Sequence, residues 1–325
     1  LIVEVTRGAL VESVHDVSAC VTDASGEIVF ATGDVERPVF LRSTAKPFIA
    51  AAVVASGAAE RFAFDDRELA AIAASHNGES FHVDAVRGIL AKIGLDVAAL
   101  ACGAHAPAYE PAAIALAARG ERPTALHNNC SGKHAGILAM CVHRGFDVAT
   151  YLEAGHPAQV RILDFCARLG GVDAASLPLA VDGCGIPVYA MSLRRAATSF
   201  ARFASAAATE DGRACARVAA AIRAEPRYLA GTGRFDTALA ATTAGRIVGK
   251  AGAEGVHGDA AFALGLGLAV KVADGARRAA APAVVAVLDR VGALEPGERE
   301  ALGEFASPTI HNVAGAAVGS MRAAI

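Results

Sequence analysis

Residues 37 to 55 read RPVFLRSTAKPFIAAAVVA, and within this stretch the hydrophobic period changes from that of a strand to that of a helix. Proline is tolerated only in the first turn of a helix, because deeper inside it removes a backbone hydrogen bond. Pro47 therefore dates the switch, with Ser43 placed at the helix start and Lys46 one turn later. Before the switch, IVEVTRG (2–8), LVESVHDVSACVTD (10–23) and EIVFATGD (27–34) show partial alternation and are separated by turn residues at Gly8 and at Asp23, Ser25 and Gly26. That pattern predicts an antiparallel meander.

After the switch the period is helical over FIAAAVVASGA, DRELAAIAASH, HVDAVRGILAKIG, GKHAGILAMCVHRG, PAQVRILDFCARLG, LRRAATSFARFA and ACARVAAAIRAEP. The strand signal returns at Gly245–Gly252 and continues through LGLAVKVAD (266–274), followed by a helical APAVVAVLDRVGAL (281–294). Strands toward both chain ends with helices between them predict an α/β fold in which both ends build one antiparallel sheet flanked by helices. The expected division is residues 1–42 and 240–325 for the sheet region and 43–239 for an inserted, mainly helical region, with the active site in the crevice between them.

Composition narrows the function. Apolar residues make up 54% of the chain and charged residues only 19%, which excludes intrinsic disorder. With 30 Lys+Arg against 33 Asp+Glu and no basic stripe carrying aromatics, a nucleic-acid partner is not expected. The mean hydropathy of +0.40 raises the question of a membrane span. The longest uncharged run is broken by Ser, Pro, Thr, His and Asn, short of the ~20 apolar residues a span needs. Seven cysteines scattered along the chain are unlike a disulfide framework and predict a reducing, cytoplasmic setting.

Four motifs carry chemistry. In Ser43-x-x-Lys46 the lysine is one helical turn from the hydroxyl, and both the helix dipole and desolvation disfavour its ammonium form. A neutral Lys46 can act as base on Ser43, and free N–H groups at the helix start can hold an oxyanion. The plainer reading is an ordinary N-cap serine. Ser75-His76-Asn77-Gly78-Glu79 breaks a helical run at Asn-Gly, which also suits a simple helix end. Sequence neighbours do not face each other, so Ser75 needs a partner from elsewhere. Lys250-Ala251-Gly252 ends a strand with small residues that permit close approach; its plainer reading is a lysine in water. Together with Ser43-x-x-Lys46 it resembles the Ser-x-x-Lys and Lys-Thr-Gly pair of penicillin-recognising serine enzymes, with Ala251 in place of the threonine. Finally, His127 to His134 and Val181 to Pro187 place Cys130 and Cys184 in turn-rich segments, whereas Cys166 lies inside a helical pattern. Two thiolates and a nitrogen suit zinc, but the spacing is not that of a four-ligand structural site, and loop cysteines remain the alternative. A lysine must lose its proton to bind metal.

Taken together, Arg42–Pro47, Ser75–Glu79, His127–His134, Val181–Pro187 and Gly249–Gly252 resemble the Rhizobium etli-type (class 3) L-asparaginases, whose fold is similar to that of glutaminases and serine β-lactamases. The resemblance implies hydrolysis of L-asparagine to L-aspartate and ammonia by two Ser-Lys pairs, Ser43 with Lys46 and Ser75 with Lys250. It makes Ser43 the nucleophile of an acyl-enzyme, while Ser75 and Lys250 relay protons to the leaving ammonia and hold the substrate. It further implies a zinc ion on Cys130, Lys133 and Cys184 with a water as fourth ligand, tuning substrate affinity. Asp182 would orient that water or the substrate's ammonium group, Arg42 would fix the substrate or its loop, and the protein would be a homodimer. The competing readings are a glutaminase or a penicillin-recognising acyl-transferase, and a non-catalytic zinc or redox module.

Overall fold

Backbone pairing in the computed structural model, which describes residues 1–205 and 208–325, is organised around one long strand. In chain order the strands are β1 (Ile2–Arg7), β2 (Leu10–Thr22), β3 (Ile28–Thr32), β4 (Pro38–Phe40), β5 (Leu179–Val181), β6 (Pro187–Ser192), β7 (Ile247–Ala251), β8 (Val256–Ala261), β9 (Leu266–Val272), β10 (Thr309–His311) and β11 (Ala317–Ala324). The main antiparallel sheet has the order β10-β11-β1-β2-β9-β8-β7, with β3 also on β2.

β2 replaces the expected simple meander. Its first half pairs with β1, while Ala19–Thr22 pair with β3 on one edge and with β9 on the other. A 13-residue strand is long enough to serve three partners in succession. β11 then pairs with β1 in the register Val5↔Met321, so both chain ends lie in one sheet.

The chain divides into two units, one comprising Leu1–Thr44, Ala190–Ser205 and Ala238–Ile325, the other Ala45–Tyr189 and Ala206–Thr237. In the sheet unit, helix Leu193–Ala204 packs on β9, β2 and β8. Two glycines set its distance. A Cβ on Gly267 would lie 2.1 Å from Ala197 O and 2.2 Å from Ala201 N, and one on Gly258 would enter the Phe200 ring. Gly265-Leu266-Gly267 is thus a helix–strand contact. The buried stripe of Ala196, Ala197, Phe200, Ala201 and Phe203 covers the sheet, which is why this helix groups with the strands and not with the helical region in which the sequence placed it. Helix Ala280–Arg290 also packs on the sheet. β4 pairs with Ala190–Ser192 of β6.

The helical unit is built from Lys46–Ala55, Asp66–Ile72, Ser80–Lys92, Glu110–Ala118, Ser131–Arg144, Pro157–Gly170 and Glu210–Ala224, with β5 paired to the first half of β6. Asp66–Ile72 starts at a capping box in which the Asp65 side chain accepts from Glu68 N and the Glu68 side chain accepts from Asp65 N. Helix Ser131–Arg144 rests on the end of that helix at van der Waals limit, since a Cβ on Gly132 would lie 2.0 Å from Ala71 O. Small residues therefore set the spacing of the elements in both units, consistent with an alanine-rich composition lacking Trp. No helix among the described residues is long and apolar enough to cross a membrane.

The helix–sheet contact yields a direct test. Gly267→Ala should lower the unfolding free energy in urea by about 1–3 kcal/mol, the usual cost of forcing atoms into a packed contact. A change below ~0.5 kcal/mol, the level of a neutral surface substitution, would contradict the contact as described.

Candidate active site

The Ser43-x-x-Lys46 segment forms a short 3-10 turn, Arg42–Ala45, followed by the helix Lys46–Ala55 with Pro47 in its first turn. Ser43 thus lies in the turn ahead of the helix. Arg42 has φ +49°, a left-handed conformation that costs a non-glycine residue free energy. The strained position immediately precedes the candidate nucleophile.

Lys46 is 1% exposed and its Nζ donates to Ala74 O at 2.7 Å, Ser75 Oγ at 3.0 Å and Asn129 O at 3.1 Å. The Cys130 side chain also hydrogen-bonds this amine, so the three N–H donors of an ammonium are fully served. Burial lowers its pKa, opposed in part by the charge of Cys130. On loss of a proton the amine keeps two N–H donors and gains a lone pair. Carbonyl oxygens can only accept, so the lone pair can be met by the Ser75 hydroxyl or by the thiol of Cys130, which also hydrogen-bonds Lys46. The geometry therefore joins Lys46 to Ser75, where the sequence pattern alone pairs it with Ser43.

Ser75 sits in a stretch, Ala74–Glu79, that is neither helix nor strand and is buried throughout. Buried backbone of this kind needs explicit partners. Ser75 N donates to Leu229 O and Asn77 N to Ala230 O, both at 3.0 Å, and Asn77 O accepts from Ala108 N at 2.8 Å. The Glu79 carboxylate accepts from Thr232 N and Thr232 Oγ1, each at 2.8 Å. Sequence reasoning missed Leu229–Arg234 altogether; the only signal was Gly231-Thr232-Gly233 between two helical patterns.

His76 is tied into the local hydrogen-bond network through both ring nitrogens. The Ser131 hydroxyl donates to Leu126 O at 3.0 Å, so it accepts from His76 Nε2 at 2.9 Å, while Gly78 N donates to His76 Nδ1 at 3.1 Å. One donating and one accepting nitrogen describe a neutral ring, and burial holds its pKa well below the usual value. His134 is likewise kept neutral by burial, with Nδ1 2.7 Å from the Tyr151 hydroxyl.

Lys250 and Ser43 belong to the sheet unit. Lys250 is fully buried on β7, not a strand-end charge in water, and its Nζ donates to Ala251 O at 2.7 Å. Two residues on, a Cβ at Gly252 would lie 3.1 Å from Thr44 Cγ2 and 3.2 Å from Leu41 O. The small residue after Lys250 thus lets the end of β7 abut the turn that carries Arg42 and Ser43.

Cys130, Lys133 and Cys184 converge in the helical unit. Cys130 is the N-cap of helix Ser131–Arg144, where a helix favours negative charge. Cys184 sits in the β5–β6 turn closed by Gly185 N donating to Asp182 O at 2.9 Å, and Asp182 Oδ2 lies 3.8 Å from Cys184 Sγ. Lys133 Nζ donates to Cys184 Sγ at 2.9 Å. A hydrogen bond from the Cys184 thiol, with the Lys133 and Lys46 charges, pushes Cys130 well below the usual thiol range; the same bond and burial push Cys184 up. Burial alone would lower the Lys133 pKa, but the two sulfurs outweigh it and raise it.

No group of three His, Cys, Asp or Glu side chains suited to a metal occurs among the described residues. A metal here would therefore need Lys133 as a neutral donor beside the two sulfurs. Cys184 hydrogen-bonds both Cys130 and Lys133, so the donor set of two sulfurs and an amine suits zinc in kind once Cys184 and Lys133 give up their protons. The remaining cysteines, Cys20, Cys102, Cys141, Cys166 and Cys215, are buried free thiols.

Comparison with known proteins bears on this arrangement. The family model for L-asparaginase II matches residues 3–323, and the chain belongs to that family. No curated protein matches it. Among solved structures it is similar to Mglu in its native form at 4.3 M NaCl, with TM-score 0.38 and 14% identity over 86% of this chain and 61% of that one. It is also similar to a β-lactamase from Mycobacterium bovis, with TM-score 0.37 and 18% identity over 85% of this chain and 94% of the other. The chain thus spans 61% of the length of the first of these.

The buried neutral histidines give a pH prediction. His82 stacks on His76 with ring centroids 4.9 Å apart, faces Glu79, Arg227 and Arg234, and is lowered to about 4 by burial. The unfolded chain binds a proton there below pH ~6.5 while the folded chain does not, so stability is full above that pH and is lost as pH falls toward 4. Between pH 7 and 5 the loss at His82 is on the order of 2 kcal/mol. Urea titrations should show His82→Gln flattening that fall; parallel pH profiles for the variant and the parent would contradict it.

Proposed function

We propose that this chain hydrolyses the side-chain amide of L-asparagine to L-aspartate and ammonia through an acyl-enzyme on Ser43, acting as a cytoplasmic homodimer. In this reading neutral Lys46 takes the Ser43 hydroxyl proton as the oxygen attacks the amide carbon. Ser75, hydrogen-bonded to Lys46, passes a proton to the departing nitrogen, and Lys250 assists it. Water then cleaves the ester with the relay running in reverse, releasing aspartate and restoring Ser43. N–H groups at the start of helix Lys46–Ala55 are suited to the developing oxyanion.

The observation that carries this reading is the hydrogen bond of the buried Lys46 amine to Ser75 Oγ, which gives it a serine hydroxyl with which to exchange a proton. The lowered Lys46 pKa supports it, since a base must lose its own proton first. Arg42 and Asp182 supply the opposite charges that a zwitterionic amino acid requires. Cys130, Lys133 and Cys184 would hold a zinc ion, which when bound would supply a fixed positive charge beside the site. With or without it, the proton relay uses only the serines and lysines.

The 3.0 Å bond between Lys46 and Ser75 also favours one alternative, in which Ser75 is the nucleophile. Glutamine is a rival substrate, because one methylene is discriminated by only about 1–3 kcal/mol in an apolar pocket.

Ammonia release from a panel of amides should be highest with L-asparagine, and Ser43→Ala should reduce it by roughly 10³-fold or more, as loss of a serine nucleophile does. Robust turnover by that variant would remove Ser43 from the role. Elemental analysis should find stoichiometric zinc in the parent protein and none in Cys130→Ala; equal zinc in both would reject the site.

A further inference from the structure

Ser75 occupies a buried stretch with no regular secondary structure of its own, and its location is set by another segment, Leu229–Arg234. We propose that Leu229–Arg234 is a strap that positions the Ser75 hydroxyl for the reaction, and that Thr232 is the residue that fastens it. The proposal rests on the reading above in that Ser75 handles a proton during turnover.

The strap is joined to the Ser75 stretch at two levels. Along the backbone, Ser75 N donates to Leu229 O and Asn77 N to Ala230 O, a two-bond ladder like that between strands. Beyond it, every polar group of Thr232 is directed at the same stretch. Its N–H and its hydroxyl both donate to the Glu79 carboxylate, one to each oxygen. Its carbonyl accepts from Asn77 Nδ2 at 3.0 Å. Arg234 Nη1 adds a bond to Asn77 Oδ1 at 2.9 Å, and Arg227 Nη2 donates to Thr232 Oγ1 at 3.3 Å. That last bond occupies the hydroxyl oxygen and leaves its hydrogen for Glu79.

Gly231 makes the close docking possible. It has φ +114°, a region that L side chains rarely adopt, and a Cβ there would lie 2.5 Å from Glu79 Oε1 and 2.7 Å from Asn77 Nδ2. The strap therefore approaches closer than any side chain at 231 would allow. Glu79 is buried, and hydrogen bonds to a carboxylate are stronger than neutral ones, so the Thr232–Glu79 pair is the firmest attachment in the set.

The consequence for chemistry is geometric. Ser75 is held from one side by Lys46, through Ala74 O and its own Oγ, and from the other by the strap. A shift of about 1 Å in a reacting group can cost 10²-fold in rate. The Thr232 bonds go to Glu79, Asn77 and Arg227, not to Ser75 or Lys46. Thr232 is a positioning residue.

The test uses the full chain. Thr232→Val keeps the shape and removes the hydroxyl; Thr232→Ser keeps the hydroxyl. Thr232→Val should lower kcat for L-asparagine by about 10- to 100-fold with KM changed less than ~3-fold, and Thr232→Ser should stay within ~3-fold of the parent. Amide hydrogen exchange should accelerate at Ser75 and Asn77 in Thr232→Val while protection in helices 131–144 and 210–224 is kept. Unchanged exchange at those two amides overturns the proposal, as does faster exchange with unchanged kcat, general loss of protection across the helices, or a Thr232→Ser variant as impaired as Thr232→Val. Should Thr232→Val not fold, Glu79→Gln carries the same test, since its amide nitrogen cannot accept from Thr232. If the parent protein releases no ammonia from any amide, the functional reading fails, and exchange at Ser75 and Asn77 still sustains or overturns the strap.

Discussion

The buried amine of Lys46 is the point on which the rest of the site depends. A cation removed from water is costly unless its hydrogen bonds are replaced, and here two main-chain carbonyls, one hydroxyl and the Cys130 sulfur replace them. The carbonyls come from Ala74 and Asn129, so one side chain ties the Ser75 stretch to the start of helix Ser131–Arg144. The tie is reinforced from behind by the contact between Gly132 and Ala71 O, which sets the spacing of the two elements. Removing the amine would leave these carbonyls without their shared donor as well as removing a base.

The sulfur cluster adjoins that amine. Cys130 follows Asn129 directly, and its thiolate both draws on the Lys46 charge and opposes the drop in Lys46 pKa. The protonation states of Lys46, Cys130, Cys184 and Lys133 are thus linked, and none of them can be set independently of the others. This linkage gives the metal centre of the proposal a physical route to the catalytic groups: a change of charge at the sulfurs is felt at Lys46 without any contact to substrate.

Much of this was legible in the sequence. Pro47 located the start of the helix, and the change of period around it gave the two-ended sheet. The glycine-rich surroundings of Cys130 and Cys184 marked them as different from Cys166. The strand β11 was not legible, because AVGSMRAA offers small residues where apolar alternation would be needed; its place follows from the open edge of β1. Lys250 looked like a solvated charge because a lone lysine gives no sign of burial. The strap was invisible for a related reason: its ladder uses backbone atoms, which carry no sequence signature, and the Glu79–Thr232 pair joins residues far apart in the chain. The bond from Lys46 to Ser75 was not legible, because i,i+3 spacing points only to Ser43 and Ser75 is 29 residues away in the chain.

Which serine carries the acyl group is therefore the most direct test of the account. Acid quenching during turnover of L-asparagine, followed by proteolysis and peptide mass mapping, locates the aspartyl ester. The account predicts the ester on the peptide containing Ser43, with Ser75 unmodified. An ester on Ser75, or turnover with no ester on either serine, would contradict it.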